Sequence, residues 1–232
     1  MSAMPPGLHP IRGLFGVCHV LVDDAQRVVI VDSGLLGYAK KFRRRFAGLG
    51  LSPSQVDAIL LTHGHLDHTG NAAWLREWTH APVYAHPLEQ PHVDGRYPYR
   101  GVARMCGALE ALGRRVAHYR PPPIDRFFRD GDELPFWGGL RVVHLPGHTL
   151  GHCGFWSERH RLLFIGDLVA VWWWRSTFPP PFLNVAGDRL RDSLRKAAAL
   201  QPRYVVPNHY SRADALTLTR RFRGFVARPA CG

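Results

Sequence analysis

The chain has 232 residues, of which 46% are hydrophobic and 21% are charged. This balance is typical of a globular protein and excludes a disordered or collagen-like chain. The length suits one large domain or two fused halves. The apolar runs are too short to cross a bilayer, which excludes an integral membrane protein.

The net charge of +12 comes mostly from arginine, because only three of the 30 basic residues are lysines. The one dense basic run, residues 40–45, lies in a helical pattern and is interpreted as a solvated helix face. A phosphate-binding patch is the alternative. The four scattered cysteines and the absence of an apolar signal segment near the N-terminus predict a reducing, cytoplasmic location.

The first half is predicted to contain strands and helices in alternation. Short apolar or valine-rich runs predict strands at 17–22, 28–31 and 82–85, and a buried strand or a helix stub at 58–61. Apolar spacing predicts helices at 35–49, 71–78 and 102–119. The last helix carries a stripe at helical spacing, formed by Met105, Leu109, Leu112 and Val116. Residues 86–100 are rich in Pro, Gly, Tyr and His and are predicted to form a loop.

The second half repeats this plan after a proline run at 121–123, which ends the preceding helix. Strands are predicted at 140–145, 154–156, 162–165 and 204–206, and helices at 188–200 and 212–226. Strands followed by helices, twice over, predict an α/β (α+β) fold in which two sheets pack face to face with helices outside. We expect a single domain over 1–232, with halves of about 1–120 and 124–232.

The strongest functional signal is the segment 62–70, THGHLDHTG, which directly follows a predicted buried strand. Its candidate ligands are His63, His65, Asp67 and His68. In an extended chain residues two apart point the same way, so the first three would share a face, and the chain would turn at His68. Imidazoles grouped with a carboxylate are good ligands for zinc and related metals. We therefore predict a metal site here rather than a histidine-rich surface loop.

Three further candidates, His148, Asp167 and His209, each follow a predicted strand. Taken singly, each is typical of a turn residue or a structural histidine. Because loops at strand ends converge in such folds, we expect all three to join the site.

The order HxHxDH, His, Asp, His resembles the metallo-β-lactamase superfamily over about residues 17–211. The resemblance implies a four-layer αββα sandwich of two similar halves with a metal site along one edge. It implies that one metal binds to His63, His65 and His148. It implies that a second metal binds to Asp67, His68 and His209, and that Asp167 bridges the two.

Other positions match the family less simply. Asp32 corresponds to an early strand-end aspartate that supports the ligand loop, whereas His152 has no counterpart. The last motif reads Asn208-His209 where the family usually has Gly-His. The chain resembles the small glyoxalase-II-like or lactonase-like members, although Ala170 stands where the lactonases usually carry tyrosine.

The resemblance implies hydrolysis with two divalent metal ions. Zinc is preferred from the ligand types, and iron or manganese stay open. Such a pair lowers the pKa of a shared water enough to give hydroxide at neutral pH, which would attack a carbonyl carbon. Asp67 would hold the nucleophile and pass a proton to the leaving group. The expected substrates are small, partly apolar esters, thioesters, lactones or lactams.

The substrate pocket is predicted from an aromatic run and a loop. Trp172, Trp173 and Trp174 cannot all point into one core, so some are expected to line the pocket, with simple packing as the alternative. Polar or anionic recognition is expected from Arg175 and from the loop that contains His92, Tyr97, Tyr99 and Arg100.

Other functional classes remain open at this point. A one-iron persulfide dioxygenase would use two histidines and one aspartate, which leaves Asp67, His68 and His209 underused. A nuclease or phosphodiesterase would use the positive charge, but its relatives usually carry an extra arm or domain for which this chain has no room. A non-catalytic carrier is disfavoured by the complete ligand set. We expect a small-molecule substrate rather than a membrane or nucleic acid, and a homo-oligomer stays open.

Overall fold

Two β-sheets form the centre of the protein, and the computed structural model describes residues 4–14, 16–172, 175–210 and 213–228. The first sheet runs in sequence order through β1 (Leu8–Gly13), β2 (Gly16–Val22), β3 (Val28–Val31), β4 (Val56–Leu60), β5 (Val83–Ala85) and β6 (Arg126–Phe127). Strands β1 to β3 pair antiparallel, and β3 to β6 pair parallel.

The second sheet is built from the later part of the chain. Its strands are β7 (Glu133–Leu134), β8 (Leu140–His144), β9 (Cys153–Ser157), β10 (Leu162–Gly166) and β13 (Tyr204–Pro207), in the spatial order β13-β10-β9-β8-β7. A separate hairpin, β11 (Ala170–Trp172) and β12 (Arg175–Thr177), follows β10. Since β6 still pairs with β5, the change of sheet falls between Phe127 and Glu133.

The helices lie outside the two sheets. They are α1 (Tyr38–Leu49), α2 (Leu66–Thr69), α3 (Ala72–Thr79), α4 (Gln90–Val93), α5 (Arg104–Val116), α6 (Leu190–Ala199) and α7 (Ala215–Val226). Within the described ranges, no helix is both long and apolar enough to cross a membrane.

Apolar cores separate the layers and confirm the predicted αββα order. One core, which includes Phe42, lies between the first sheet and helices α1 and α3. The next, which includes Leu60 and Phe155, lies between the two sheets. The last, which includes Phe222, lies between the second sheet and helices α6 and α7.

Central strands supply both neighbouring cores because alternate side chains point to opposite faces. In β3, Val28 and Ile30 face the helices, whereas Val29 and Val31 face the other sheet. A strand buried on both faces is apolar throughout, which explains why these strands stand out in the sequence.

The structure also contains elements that the sequence patterns do not predict. Strand β1 lies at the edge of the first sheet and includes Pro10, which an edge strand tolerates. Its sequence shows no strand-like pattern. Strands β6 and β7 have two residues each, too few to show a period. Helix α4 lies inside the segment 86–100, which was predicted as loop.

Candidate metal centre

The candidate ligands lie together at one edge of the sandwich, just beyond strand ends. His63 and His65 follow β4, and helix α2 begins at Leu66, so Asp67 and His68 lie on a helical turn rather than in extended chain. The remaining candidates follow β8, β10 and β13; they are His148, Asp167 and His209.

Their ligand atoms converge in groups of three, each within 4.8 Å: His63, His65 and His148; His63, His68 and Asp167; Asp67, His68 and His209. All of these side chains are buried except Asp67 and His209, which are partly exposed. Three nitrogen or oxygen donors at this spacing can hold a divalent ion such as zinc. The first and last groups share no residue, so the cluster provides donors for two ions.

Asp167 lies between those two groups. Its Oδ2 is 3.6 Å from His148 Nε2 and 3.0 Å from His209 Nε2, and its Oδ1 is 3.4 Å from His68 Nε2. One carboxylate therefore reaches nitrogens of both groups.

The donors of this centre fit metal ions. His63 Nε2 and His68 Nε2 are inaccessible to solvent and have no hydrogen-bond partner within the described residues. Burial lowers the pKa of His65 to about 4 and that of His148 to about 3, so both imidazoles are neutral at pH 7 and offer a lone pair. An unpaired buried nitrogen is unfavourable, and a bound cation would satisfy it.

The carboxylates of Asp67 and Asp167 make the more exposed ligand group, which consists of Asp67, His68 and His209, attractive to positive charge. Burial acts to lower the pKa of His209, but Asp167 and Asp67 outweigh it and raise that pKa to about 10. In the same way, burial acts to raise the pKa of Asp67, but His68 and His209 lower it to about 2. Asp67 is therefore ionised at neutral pH.

Asp32 supports the loop that carries His63 to His68. It is fully buried and accepts hydrogen bonds from Thr62 N and Thr62 Oγ1, each at 2.8 Å. Its Oδ2 lies 3.0 Å from His68 Nδ1, which leaves His68 Nε2 for a metal. Its backbone has a φ of 60°, a conformation that is unfavourable for a residue other than glycine.

Asn208, which stands in place of the family's usual glycine, is tied to the same support. Its Nδ2 donates to Asp32 Oδ2 at 2.5 Å and to Val17 O at 3.1 Å. Asp32 therefore positions both His68 directly and, through Asn208, the loop that carries His209.

Two residues position the ligands of the second half. His152 has Nδ1 3.0 Å from the carbonyl oxygen of Leu145, and its Nε2 accepts a hydrogen bond from the backbone N–H of Asp167 at 2.9 Å. Asn184 Oδ1 lies 3.1 Å from His148 Nδ1, which leaves His148 Nε2 facing the cluster. His152 had no role in the sequence analysis, and no local pattern marks Asn184.

Glu89 joins two ligand loops and was missed by the sequence analysis. One carboxylate oxygen accepts from Gly64 N at 2.6 Å and the other from Gly151 N at 2.7 Å. Gly64 lies inside the HxH motif, and Gly151 lies in the loop after His148. Glu89 is fully buried, and this burial raises its pKa to about 7 despite those hydrogen bonds. Its carboxyl group thus holds loops from both halves at a set spacing.

A cavity of about 1080 Å³ opens over the cluster. Asp67 and His209 lie in its lining, and its walls are largely apolar, with Leu109, Leu112 and Val116 of α5 on one side and Phe178 and Phe225 among the other residues. Of the predicted pocket residues, exposed Arg175 lines this cavity. Trp172 pairs with Arg175 in the β11–β12 hairpin. Trp173 and Trp174 lie outside the described residues.

His92, Tyr97 and Tyr99 occupy a different place from the predicted one. His92 is buried, with its ring centroid 5.5 Å from that of His65 and its Nδ1 3.1 Å from the Tyr99 hydroxyl oxygen. Tyr97 stacks on His92 with ring centroids 3.8 Å apart. The three line a separate cavity of about 270 Å³. His92 and Tyr99 therefore lie beside the ring of His65, and none of the three residues lines the cavity above the cluster.

Comparison with known proteins agrees with this fold. The model of the metallo-beta-lactamase superfamily matches residues 11–209. The chain therefore belongs to the metallo-beta-lactamase superfamily.

One relative and two solved structures share between 24% and 31% sequence identity with this chain. Hydroxyacylglutathione hydrolase of Bdellovibrio bacteriovorus is 31% identical over 153 residues, which are 65% of this chain and 47% of that protein. The chain thus spans about half the length of this relative. Metallo-beta-lactamase family protein TTHA1429 from Thermus thermophilus has a TM-score of 0.74 at 24% identity, over 97% of this chain and 80% of that one. TTHA1623, solved in a di-iron-bound form, has a TM-score of 0.68 at 28% identity, over 96% of this chain and 100% of that one.

The family and the ligand cluster together define the class of protein. It is a member of the metallo-beta-lactamase superfamily with donors for two metal ions.

Proposed function

We propose that this chain hydrolyses a carbonyl bond in a small, partly apolar ester, thioester, lactone or lactam, with two divalent metal ions. The observation that carries the proposal is the position of Asp167, whose carboxylate reaches nitrogens of both ligand groups. Zinc is the proposed metal because the donors mix imidazole and carboxylate, with iron or manganese as alternatives.

Some of these residues would bind the metal ions, and others would contact the substrate. One ion would be held by His63, His65 and His148, the other by Asp67, His68 and His209, and both by Asp167. When bound, such a pair supplies a water of lowered pKa and polarises the carbonyl oxygen.

Asp67 is the proposed catalytic residue of the chain itself. Its side chain is 27% exposed and lines the cavity, and its Oδ2 is 3.2 Å from His209 Nε2. An ionised carboxylate there can accept a hydrogen bond from the attacking water, take up the proton that this water loses on attacking the carbonyl carbon, and pass the same proton to the leaving group.

Two observations favour this function over the alternatives. A one-iron oxygenase would leave Asp67, His68 and His209 converged without a role. A nuclease requires a polar groove for a phosphate backbone, whereas the walls of this cavity are largely apolar.

The test combines metal content with turnover. Elemental analysis of the purified protein is expected to give about two ions per chain, and Asp67→Ala and His209→Ala to lose the second ion. Turnover of a responsive ester or lactone should then fall at least about 100-fold, because even residues that only support a ligand often cost 10- to 100-fold.

His160→Ala is the matched control, since His160 lies outside the cluster and stacks on Trp137. Two ions and normal turnover in both cluster variants would contradict the assignment. A single iron in the unaltered protein would favour oxygen-dependent chemistry instead.

A further inference from the structure

We infer that this site takes an amphiphilic anion, with an extended apolar chain along α5 and a negatively charged group at the arginines of the cavity. The inference rests on the proposed function, because it concerns the ligand of the same site. In terms of substrate, it predicts a medium-chain acyl ester or thioester that carries an anionic group away from the bond cleaved.

The apolar part of the argument is the exposed stripe of α5. Leu109, Leu112 and Val116 are between 57% and 62% exposed, and all three line the cavity together with the half-exposed Leu36. A single exposed leucine is ordinary. A row of them on one wall, continuous with a catalytic centre, is typical of a surface that an apolar ligand covers.

The size of the cavity favours a chain rather than a methyl group. Its volume of about 1080 Å³ lies just above the roughly 300–1,000 Å³ that is usual for pockets of drug-sized ligands. Asp67 lies in the same lining as Leu112, so a carbonyl group at the metal ligands would leave its acyl chain against α5.

The anionic part of the argument is a set of uncompensated cations. Arg175, Arg191 and Arg228 line the same cavity, and among the described residues no carboxylate lies within 4.0 Å of their guanidinium groups. Glu110, also in the lining, is paired with Arg114 at 2.9 Å. A carboxylate, sulfonate or phosphate of the ligand would find free guanidinium donors there.

One of these arginines, Arg228, lies against aromatic rings in the apolar wall of the cavity. Arg228 Cζ lies 5.7 Å from the centroid of Phe225, and Phe225 packs against Phe178 with centroids 4.9 Å apart. Apolar and cationic groups are thus interleaved, which suits an amphiphile better than either a neutral lipid or a small polar anion. A second copy of the chain is the competing occupant, but its net charge of +12 would oppose docking against these arginines.

Ligand binding to the metal-loaded protein tests the inference without requiring turnover. The probe is 8-anilinonaphthalene-1-sulfonate, whose fluorescence rises in apolar surroundings, and octane-1-sulfonate is the competitor. We expect octane-1-sulfonate to displace the probe at least about tenfold more effectively than methanesulfonate or octanol, because only the first combines chain and charge.

Exposed residues allow variants that leave the fold intact. Leu112→Ser and Arg175→Gln are each expected to weaken octane-1-sulfonate binding by about three- to tenfold. Met105→Ser and Arg115→Gln are the matched controls, since both residues are exposed on α5 but lie outside the cavity lining. Equal displacement by octanol, or unchanged binding in both cavity variants, would overturn the inference. A dimer that Leu112→Ser converts to a monomer, with unchanged sulfonate binding, would assign the stripe to a second copy and also overturn it.

Turnover then separates the inference from the proposed function. The substrates are 4-octanoyloxybenzoate, its acetyl counterpart and the methyl ester of each, which vary chain and charge independently. A preference for 4-octanoyloxybenzoate supports both. Selective binding of octane-1-sulfonate with no hydrolysis of any ester supports the ligand class and contradicts the proposed function. Hydrolysis with no preference for chain or charge supports the function and overturns the inference.

Discussion

Helices α1 and α5 both carry an apolar stripe, and the protein places the two stripes in opposite surroundings. Phe42 and Phe46 of α1 are at most 2% exposed against the first sheet, whereas Leu109 and Leu112 of α5 are 57% and 62% exposed beside the metal ligands. The difference lies in what faces each helix, a row of strand side chains for α1 and a cavity for α5. A periodic stripe therefore identifies a face that needs a partner, and that partner is either the chain itself or a ligand.

Truncation of one residue in each stripe gives the largest expected contrast. Phe42→Ala should lower the free energy of unfolding by about 3–5 kcal/mol, because it leaves a void in a closed core. Leu112→Ala should change it by no more than about 0.5 kcal/mol, because its side chain already contacts solvent. Urea unfolding of both variants beside the unaltered protein measures the difference. Similar losses in the two variants would show that the α5 stripe is covered in solution.

The sequence predicts the stripes but not this difference. Helical spacing depends on residues three and four apart, so it shows that Met105, Leu109, Leu112 and Val116 share a face. What lies opposite that face depends on the path of the distant segments 175–183 and 225–228, which the spacing does not contain. The αββα layers, by contrast, could be predicted from the sequence, because strands that are buried on both sides are apolar throughout.

The candidate ligands were also easier to predict than the residues that support them. The HxHxDH run is local, and each later ligand follows a recognisable strand. Glu89, by contrast, contacts Gly64 and Gly151, which are 25 and 62 positions away. Contacts at such separations leave no local pattern, and a glutamate between turn residues looks like an ordinary surface residue.

Replacement of Glu89 sharpens the contrast between support of the metal and contact with the ligand. Glu89→Ala should weaken metal binding by about 10- to 100-fold, because two buried N–H groups of the ligand loops lose their acceptor. Glu89→Gln should give a smaller loss, since its amide oxygen can still accept from one of them. Competition with a chromophoric chelator measures the affinity.

Two controls belong to that experiment. Glu77→Ala removes an exposed glutamate paired with Arg120 and should leave metal affinity unchanged. Leu112→Ser should also leave it unchanged while weakening the binding of an amphiphilic anion. Equal metal affinity in Glu89→Ala and the unaltered protein would show that the loops keep their spacing without this carboxyl group.

The smallest effect is expected for His19, a polar residue in the closed core between the two sheets. Its ring lies between the sheets, with its centroid 5.3 Å from that of Phe164, and neither ring nitrogen has a hydrogen-bond partner within the described residues. Burial, with a contribution from Arg12, lowers the pKa of His19 to about 3. Between pH 6.5 and about 3 the unfolded chain therefore binds a proton that the folded chain does not, so stability falls as the pH falls through this window.

His19→Leu removes both the unpaired nitrogens and the titrating group. The free energy of unfolding should rise by about 1–2 kcal/mol at pH 7, because an apolar side chain of similar size has no buried polar atoms to leave unsatisfied. At pH 5 the advantage should grow by about 2 kcal/mol, since one pKa unit corresponds to about 1.4 kcal/mol and pH 5 lies about 1.5 units below the usual histidine pKa. Urea unfolding of both proteins at the two pH values measures this change. An advantage that is equal at pH 7 and pH 5 would show that His19 titrates alike in the folded and unfolded chain, and hence that the space between the sheets is less closed to water than the core beneath α1.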